Sequence, residues 1–112
     1  MSSLLPAHGS VERPAPDRTE VVVDGTGSGA VLSVLASETA QAVLCALDAG
    51  PKPVSEIAEA ADTSLQNARY HVERLREAGF VEPVDTWYSE KGREMTVYGL
   101  LVDRLVLRFE SR

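Results

Sequence analysis

Gln66, Asn67, Arg69 and Tyr70 stand close together in the stretch "TSLQNARYHVERLREAGFVEP", which begins at Thr63. Their side chains carry groups that read base edges. The amide of Gln or Asn matches adenine's paired donor and acceptor, and a guanidinium matches the two acceptors of guanine. Thr63, Ser64, His71 and Arg74 complete a polar set around them. Glu73 and Glu77 come later, where a phosphate would repel them. An ordinary amphipathic helix would mix its solvent charges; this segment offers a different surface at each end. A second set, Lys91 and Arg93, lies in "YSEKGRE" between Glu90 and Glu94. Two cations at a tight turn can reach phosphates or a narrow minor groove. The competing reading is a solvated turn with weak local ion pairs. Their position just after the polar helix favours the first.

The elements that must position these groups can be read from periodicity. Leu65, Ala68, Val72 and Leu75 recur on one face of a helix, while Gln66, Arg69, Tyr70 and Glu73 share the opposite face, with Asn67 and Arg74 beside them. The spacing predicts a helix over about residues 64–78, with Thr63 and Gln66 at capping-box spacing and Gly79 at its end. Before it, "GPKP" breaks the chain, "VSEIAEAA" forms a short helix with Val54, Ile57, Ala58 and Ala61 inward, and "DTS" turns. Short helix, turn and longer helix make a helix-turn-helix unit. Residues 80–99 then read as two strands joined at Gly92, a wing with a basic tip.

Upstream, "AVLSVLAS" and "ETAQAVLCALDAG" predict two helices meeting near Ser37. In the second, Ala40, Val43, Leu44 and Leu47 form one face, and the small residues Ala42, Cys45, Ala46 and Ala49 the other. A helix apolar all round is buried on both sides. It belongs at the centre of the domain or against a second subunit. Residues 1–24 are expected to be a flexible arm that ends in a β-prone run, and residues 25–112 the domain. The tail "LVDRLVLRFE" fits a helix face through Leu101, Leu105 and Phe109, and a strand through Leu105, Leu107 and Phe109.

The chain has 112 residues, enough for one domain with a modest core that a partner subunit would help to cover. Its 17 acidic against 11 basic residues give a net charge of −6, which argues against indiscriminate nucleic-acid coating but leaves room for a small basic patch. Only Lys52 and Lys91 are lysines, and such an acidic, lysine-poor composition suits a salt-loving cytoplasm. Cys45 is the single cysteine, so neither an intrachain disulfide nor a cysteine-rich zinc site is available. The start, "MSSLLPAHGS", lacks the basic and apolar regions of a signal peptide, and no apolar run is long enough for a membrane span. An intracellular chain with no membrane partner is expected.

Three stretches, "LASETAQAVLCAL", "VSEIAEAADTSLQNARYHVERLREAGFVE" and "YSEKGREMTVYGL", together resemble the winged helix-turn-helix regulators of the ArsR type, in particular those of haloarchaea. The resemblance spans residues 30–100. It implies an α+β, mainly helical fold with a two-stranded wing, and a dimeric, DNA-binding transcription regulator. It also implies a packing or phosphate-neighbour role for His71. Metal-sensing members carry close cysteines in the helix-turn-helix or clustered histidines and acids in a terminal helix. This chain has neither, so the resemblance implies no metal and no cofactor.

Other chemistries find little footing. "VVVDGTGSGAVLSVLA" has Gly25, Gly27 and Ala30 at dinucleotide-binding spacing. That motif needs a βαβ unit and an acid about 20 residues on, and here helices follow and the nearest acid, Asp48, ends one of them. No nucleophile, histidine and acid arrangement suggests catalysis, and Cys45 reads as a small packing residue. The expectation is therefore a homodimeric regulator binding duplex DNA, with salt cations at its DNA interface. Its rival is an acidic winged-helix module that binds protein instead.

Overall fold

The computed structural model describes residues 17–23 and 29–109, and the remaining parts of the expected arm and of the glycine-rich stretch lie outside them. The described chain runs β1 (Asp17–Val23), α1 (Gly29–Leu35), α2 (Glu38–Asp48), β2 (Lys52–Pro53), α3 (Val54–Ala60), α4 (Leu65–Glu77), β3 (Val81–Tyr88), β4 (Glu94–Leu100) and β5 (Val102–Phe109).

The core is built where the helical stripes converge. Ala40, Val43, Ala46 and Leu47 of α2 meet Ile57 and Ala58 of α3 and Ala68, Val72 and Leu75 of α4, with Phe80, Val81 and Val97 closing it from the sheet. The small stripe of α2 divides. Ala46 joins the core, whereas Cys45 and Ala49 are exposed within the single chain. The N-terminus of α2 is capped by Ser37, whose Oγ accepts from the Ala40 N–H. Lys52 serves the other end: its ammonium donates to the Ala46 carbonyl at 2.8 Å. One of the two lysines is thus a helix cap.

Local capping chemistry sets the angle between α3 and α4. After α3 the Thr63 N–H donates to the Ala58 carbonyl and the Asp62 N–H to that of Glu59, with Asp62 in the left-handed region at φ 56°. The same pattern closes α4: Phe80 N–H to Leu75 carbonyl, Gly79 N–H to Arg76 carbonyl, and Gly79 at φ 88°. These are Schellman motifs, and in the second Phe80 and Leu75 share the core cluster. The expected stop at Gly79 is observed. At the start of α4 the cap is Ser64 and not Thr63: Ser64 Oγ accepts from the Asn67 N–H at 3.0 Å. The two hydroxyls are adjacent in sequence, and the helix phase selects the second.

β3 and β4 form the wing, with β2 added as a two-residue edge in the order β2–β4–β3. The β3–β4 register shifts between Pro83 and Asp85, so proline sits beside an irregularity on an edge strand, where it is tolerated. The tail resolves as a strand. β5 pairs with β1 in parallel, Thr19 opposite Leu105 and Val23 opposite Phe109. β1 begins at Asp17, inside the stretch assigned to the arm. No single helix among the described residues is long and apolar enough to cross a membrane.

Candidate nucleic-acid interface

Gln66, Asn67, Arg69 and Tyr70 are all exposed, along the front half of α4. They are presented there because Ala68, Val72 and Leu75 hold the other side of the helix in the core. Leu65 does not share that burial; it is 47% exposed, contrary to its place on the apolar stripe. The first turn of α4 projects beyond the core, so Leu65 instead lines a cleft between the helix and the wing. Pro53, Arg69, Arg93, Met95 and Tyr98 line the same cleft. Arg69 of the helix and Arg93 of the wing thus face one space. One cation of each set, separate in sequence, lines this shared cleft, with the Glu94 carboxylate beside them.

The polar groups of α4 differ in how free they are. The Asn67 amide donates to Thr63 Oγ1 at 3.3 Å, so part of its hydrogen-bonding capacity supports the helix start. Arg74 is half-buried. It donates to the Tyr70 hydroxyl at 3.3 Å, and its guanidinium carbon lies 5.6 Å from the Tyr70 ring centroid. His71 is half-buried, with its ring edge-on to Tyr70 at 5.0 Å. Burial, and then the charge of Arg74, hold its pKa below the ordinary 6.5, so it is neutral at neutral pH. Glu73 pairs with Arg76 at 3.3 Å on the rear half of the helix. Gln66 and Arg69 therefore remain the groups with the most unengaged polar capacity.

The wing tip has an organiser that the sequence reading missed. Ser89 Oγ accepts from the N–H groups of both Lys91 (3.3 Å) and Arg93 (3.1 Å). The Ser89 N–H donates to the Arg93 carbonyl, and the Gly92 N–H to that of Ser89. Gly92 takes φ 79°. Serine at the first position of a turn with glycine three residues on was the available signal. Lys91 and Arg93 are exposed, so the loop holds two cations on an ordered backbone. Trp87 is half-buried, while Tyr88 is exposed and donates its hydroxyl to Glu94 at 3.4 Å. Among the described residues, no group of three or more His, Cys, Asp or Glu side chains could hold a metal ion.

A family model described as a helix-turn-helix domain matches residues 35–84, from the end of α1 into β3. No curated protein matches this chain significantly in sequence. Among solved structures, the homodimeric winged helix-turn-helix DNA-binding domain of Mb0332 from Mycobacterium bovis, a possible ArsR-family transcriptional regulator, aligns at a TM-score of 0.52 and 23% identity. The match covers 65% of this chain and 62%, less than two thirds, of that fragment. NolR from Sinorhizobium fredii aligns at a TM-score of 0.54 and 20% identity over 68% of this chain and 70% of its own. Reduced HlyU from Vibrio cholerae N16961 aligns at 0.50 and 23% over 65% and 70%. Residues 35–84 thus match a helix-turn-helix domain, and the chain has the winged helix-turn-helix fold of the Mb0332 domain.

Proposed function

We propose that this chain is a transcription regulator of the ArsR type that binds specific duplex DNA as a homodimer. α4 enters the major groove with its front half. Gln66 and Arg69 read base edges, with Asn67 and Tyr70 beside them. Thr63, Ser64 and His71 lie against the backbone at the same end, and Arg74 reaches a phosphate while held by Tyr70. Lys91 and Arg93 carry the wing onto the backbone or into the minor groove.

The observation that carries this reading is the shared cleft, in which Arg69 of the helix and Arg93 of the wing line one space. A groove of that kind suits a nucleic-acid backbone passing between two elements. The homodimer follows from a small core and from the exposed part of α2. A DNA-bound regulator works where the DNA is, which carries a cytoplasmic location. The acidic, lysine-poor composition fits a salt-rich one, with cations at the interface screening Glu73, Glu77, Glu90 and Glu94.

The test is selection of bound duplexes from fragmented genomic DNA, followed by titration of the selected site. Gln66→Ala and Arg69→Ala are expected to cost about 1–3 kcal/mol on that site and to blur its base preference. Lys91→Ala and Arg93→Ala weaken all duplexes more evenly. No enrichment of any duplex would sink the reading and leave the acidic protein-binding module in its place. Wing substitutions that change base preference, beside helix substitutions that do not, would reverse the two roles.

A further inference from the structure

β5 has one partner among the described residues, β1, and the two form a sheet of their own. They run parallel, from Asp17 opposite Val102 to Val23 opposite Phe109. A two-stranded ribbon is marginal in water, and parallel sheets are ordinarily covered on both faces. Among the described residues, the apolar side chains at the end of β5 stand open. Leu107 is 43% and Phe109 75% exposed. They continue the line of Leu105, which is half-buried in a groove with Leu35, Leu44 and Phe80. An apolar track thus runs from the helical body out along the strand. From Arg104 to Phe109 the pairing is regular and the strand holds neither proline nor glycine; Arg104 and Arg108 alternate there with Leu105, Leu107 and Phe109, so the charges fall on one face and these apolar side chains on the other. A regular edge strand with an apolar face is a site of strand addition.

We propose that the edge of β5 opposite β1 pairs antiparallel with β5 of a second copy, about a two-fold axis at Leu107. The dimer then carries a four-stranded sheet in the order β1–β5–β5–β1. The proposal rests on the homodimer reading and adds its surface and register.

Self-complementarity selects the occupant. A two-fold axis normal to the sheet puts one residue opposite its own copy. Centred on Leu107, the pairing opposes Leu107 with Leu107, Leu105 with Phe109 in both directions, and Val106 with Arg108. Centred on Val106, it would oppose Arg104 with Arg108, like charges in direct register. Centred on Leu105, it would leave Phe109 without a counterpart in the partner strand. Three or more strands with a hydrophobic face suffice where two do not. The groove is lined by no residue of α4 and none of the wing tip, so a second copy seated along this track leaves the candidate DNA surface open.

The test uses the full chain in a Cys45→Ala background. Residues opposed in an antiparallel pair lie about 4.5–5.5 Å apart at Cα, within disulfide range. Leu107→Cys should therefore convert most of the protein to a covalent dimer on mild oxidation. Arg104→Cys should give background only. In the native sequence, Leu107→Glu with Phe109→Glu should halve the mass seen by light scattering, at a concentration where the unmodified chain is dimeric. The thermal transition of the helical core should persist. If the double variant does not fold, the cross-linking result decides alone. An unmodified dimer that shows no Leu107→Cys cross-link overturns the β5 proposal and leaves the homodimer standing. A chain monomeric at micromolar concentration, in high and low salt alike, overturns both.

Discussion

Arg74 lies over the ring of Tyr70, 5.6 Å from guanidinium carbon to ring centroid, and donates to the hydroxyl of the same side chain at 3.3 Å. One residue thus holds a cation by two means, one turn behind the exposed front of α4. The arrangement removes rotamer freedom from Arg74 before any phosphate arrives, and preorganised cations lose less on binding. Tyr70→Phe keeps the ring and deletes the hydroxyl; Tyr70→Ala deletes both. Tyr70 is 55% exposed, so neither change should move stability by more than about 0.5 kcal/mol. On the cognate duplex, Tyr70→Phe should cost a few tenths of a kcal/mol and Tyr70→Ala about 1 kcal/mol, near the value of an exposed cation–π pair. Equal losses in anisotropy titrations for both variants would show that the hydroxyl alone matters.

Capping predicts a contrast between neighbours. Ser64 Oγ accepts from the Asn67 N–H, whereas Thr63 Oγ1 accepts only from the Asn67 side chain. Ser64→Ala should cost about 1 kcal/mol and Ser64→Gly a few tenths. Thr63→Ala should cost less than Ser64→Ala. Urea titrations followed by circular dichroism measure all three. A larger loss at Thr63 would restore the capping box that the sequence pattern suggested.

His71 predicts a pH dependence. Its pKa in the folded chain lies below the ordinary 6.5, first from burial and then from the charge of Arg74. Above 6.5 the imidazole is neutral in both folded and unfolded chains, and stability carries no penalty from it. As pH falls below 6.5 the unfolded chain takes up the proton first, so stability declines until the folded-state pKa is passed, and the loss is then constant. Thermal melts of His71→Gln should lack this increment of decline relative to the unmodified chain. An identical decline in both would place its origin elsewhere.

The legible parts of this fold are those decided within one turn of helix or hairpin. The 3.6-residue stripe of Ala68, Val72 and Leu75, the glycine after α4 and the glycine at the wing tip each carry their physical reason locally. Leu65 shows where a stripe stops being sufficient. A helical wheel gives the direction of a side chain but not how far the core extends along the axis, and the core ends before the first turn of α4. The tail could not be decided because Leu105 and Phe109 satisfy both periods. Its pairing with β1 joins opposite ends of the chain, which no local pattern encodes. β2 has two residues, too few for any periodicity. Of the candidate interface, residue types and exposed faces could be read in advance. The meeting of Arg69 and Arg93 in one cleft required the hairpin to fold back beside the helix.

Salt gives the sharpest prediction. Cationic side chains that displace condensed counterions make affinity fall with salt, at about 0.9 in logarithmic slope for each phosphate neutralised. The contact set proposed for one subunit is Arg69, Arg74, Lys91 and Arg93, which alone implies a slope of about −3 to −4 per subunit. Glu90 and Glu94 flank the two wing cations, and both are exposed. Their carboxylates approach the duplex with the wing and repel it unless cations screen them. Cations taken up between carboxylate and phosphate then offset those released from the DNA. The slope for the unmodified chain should be much flatter than the cation count implies, with affinity held or rising at high KCl. Glu90→Gln with Glu94→Gln removes the uptake and should restore the steep loss. Because Glu94 also accepts from Tyr88 at 3.4 Å, a Tyr88→Phe control separates that contact from the charge. Titrations of the cognate duplex across a wide KCl range compare the three proteins. An unmodified chain that loses affinity as steeply as the double variant would mean that these carboxylates stand clear of the DNA.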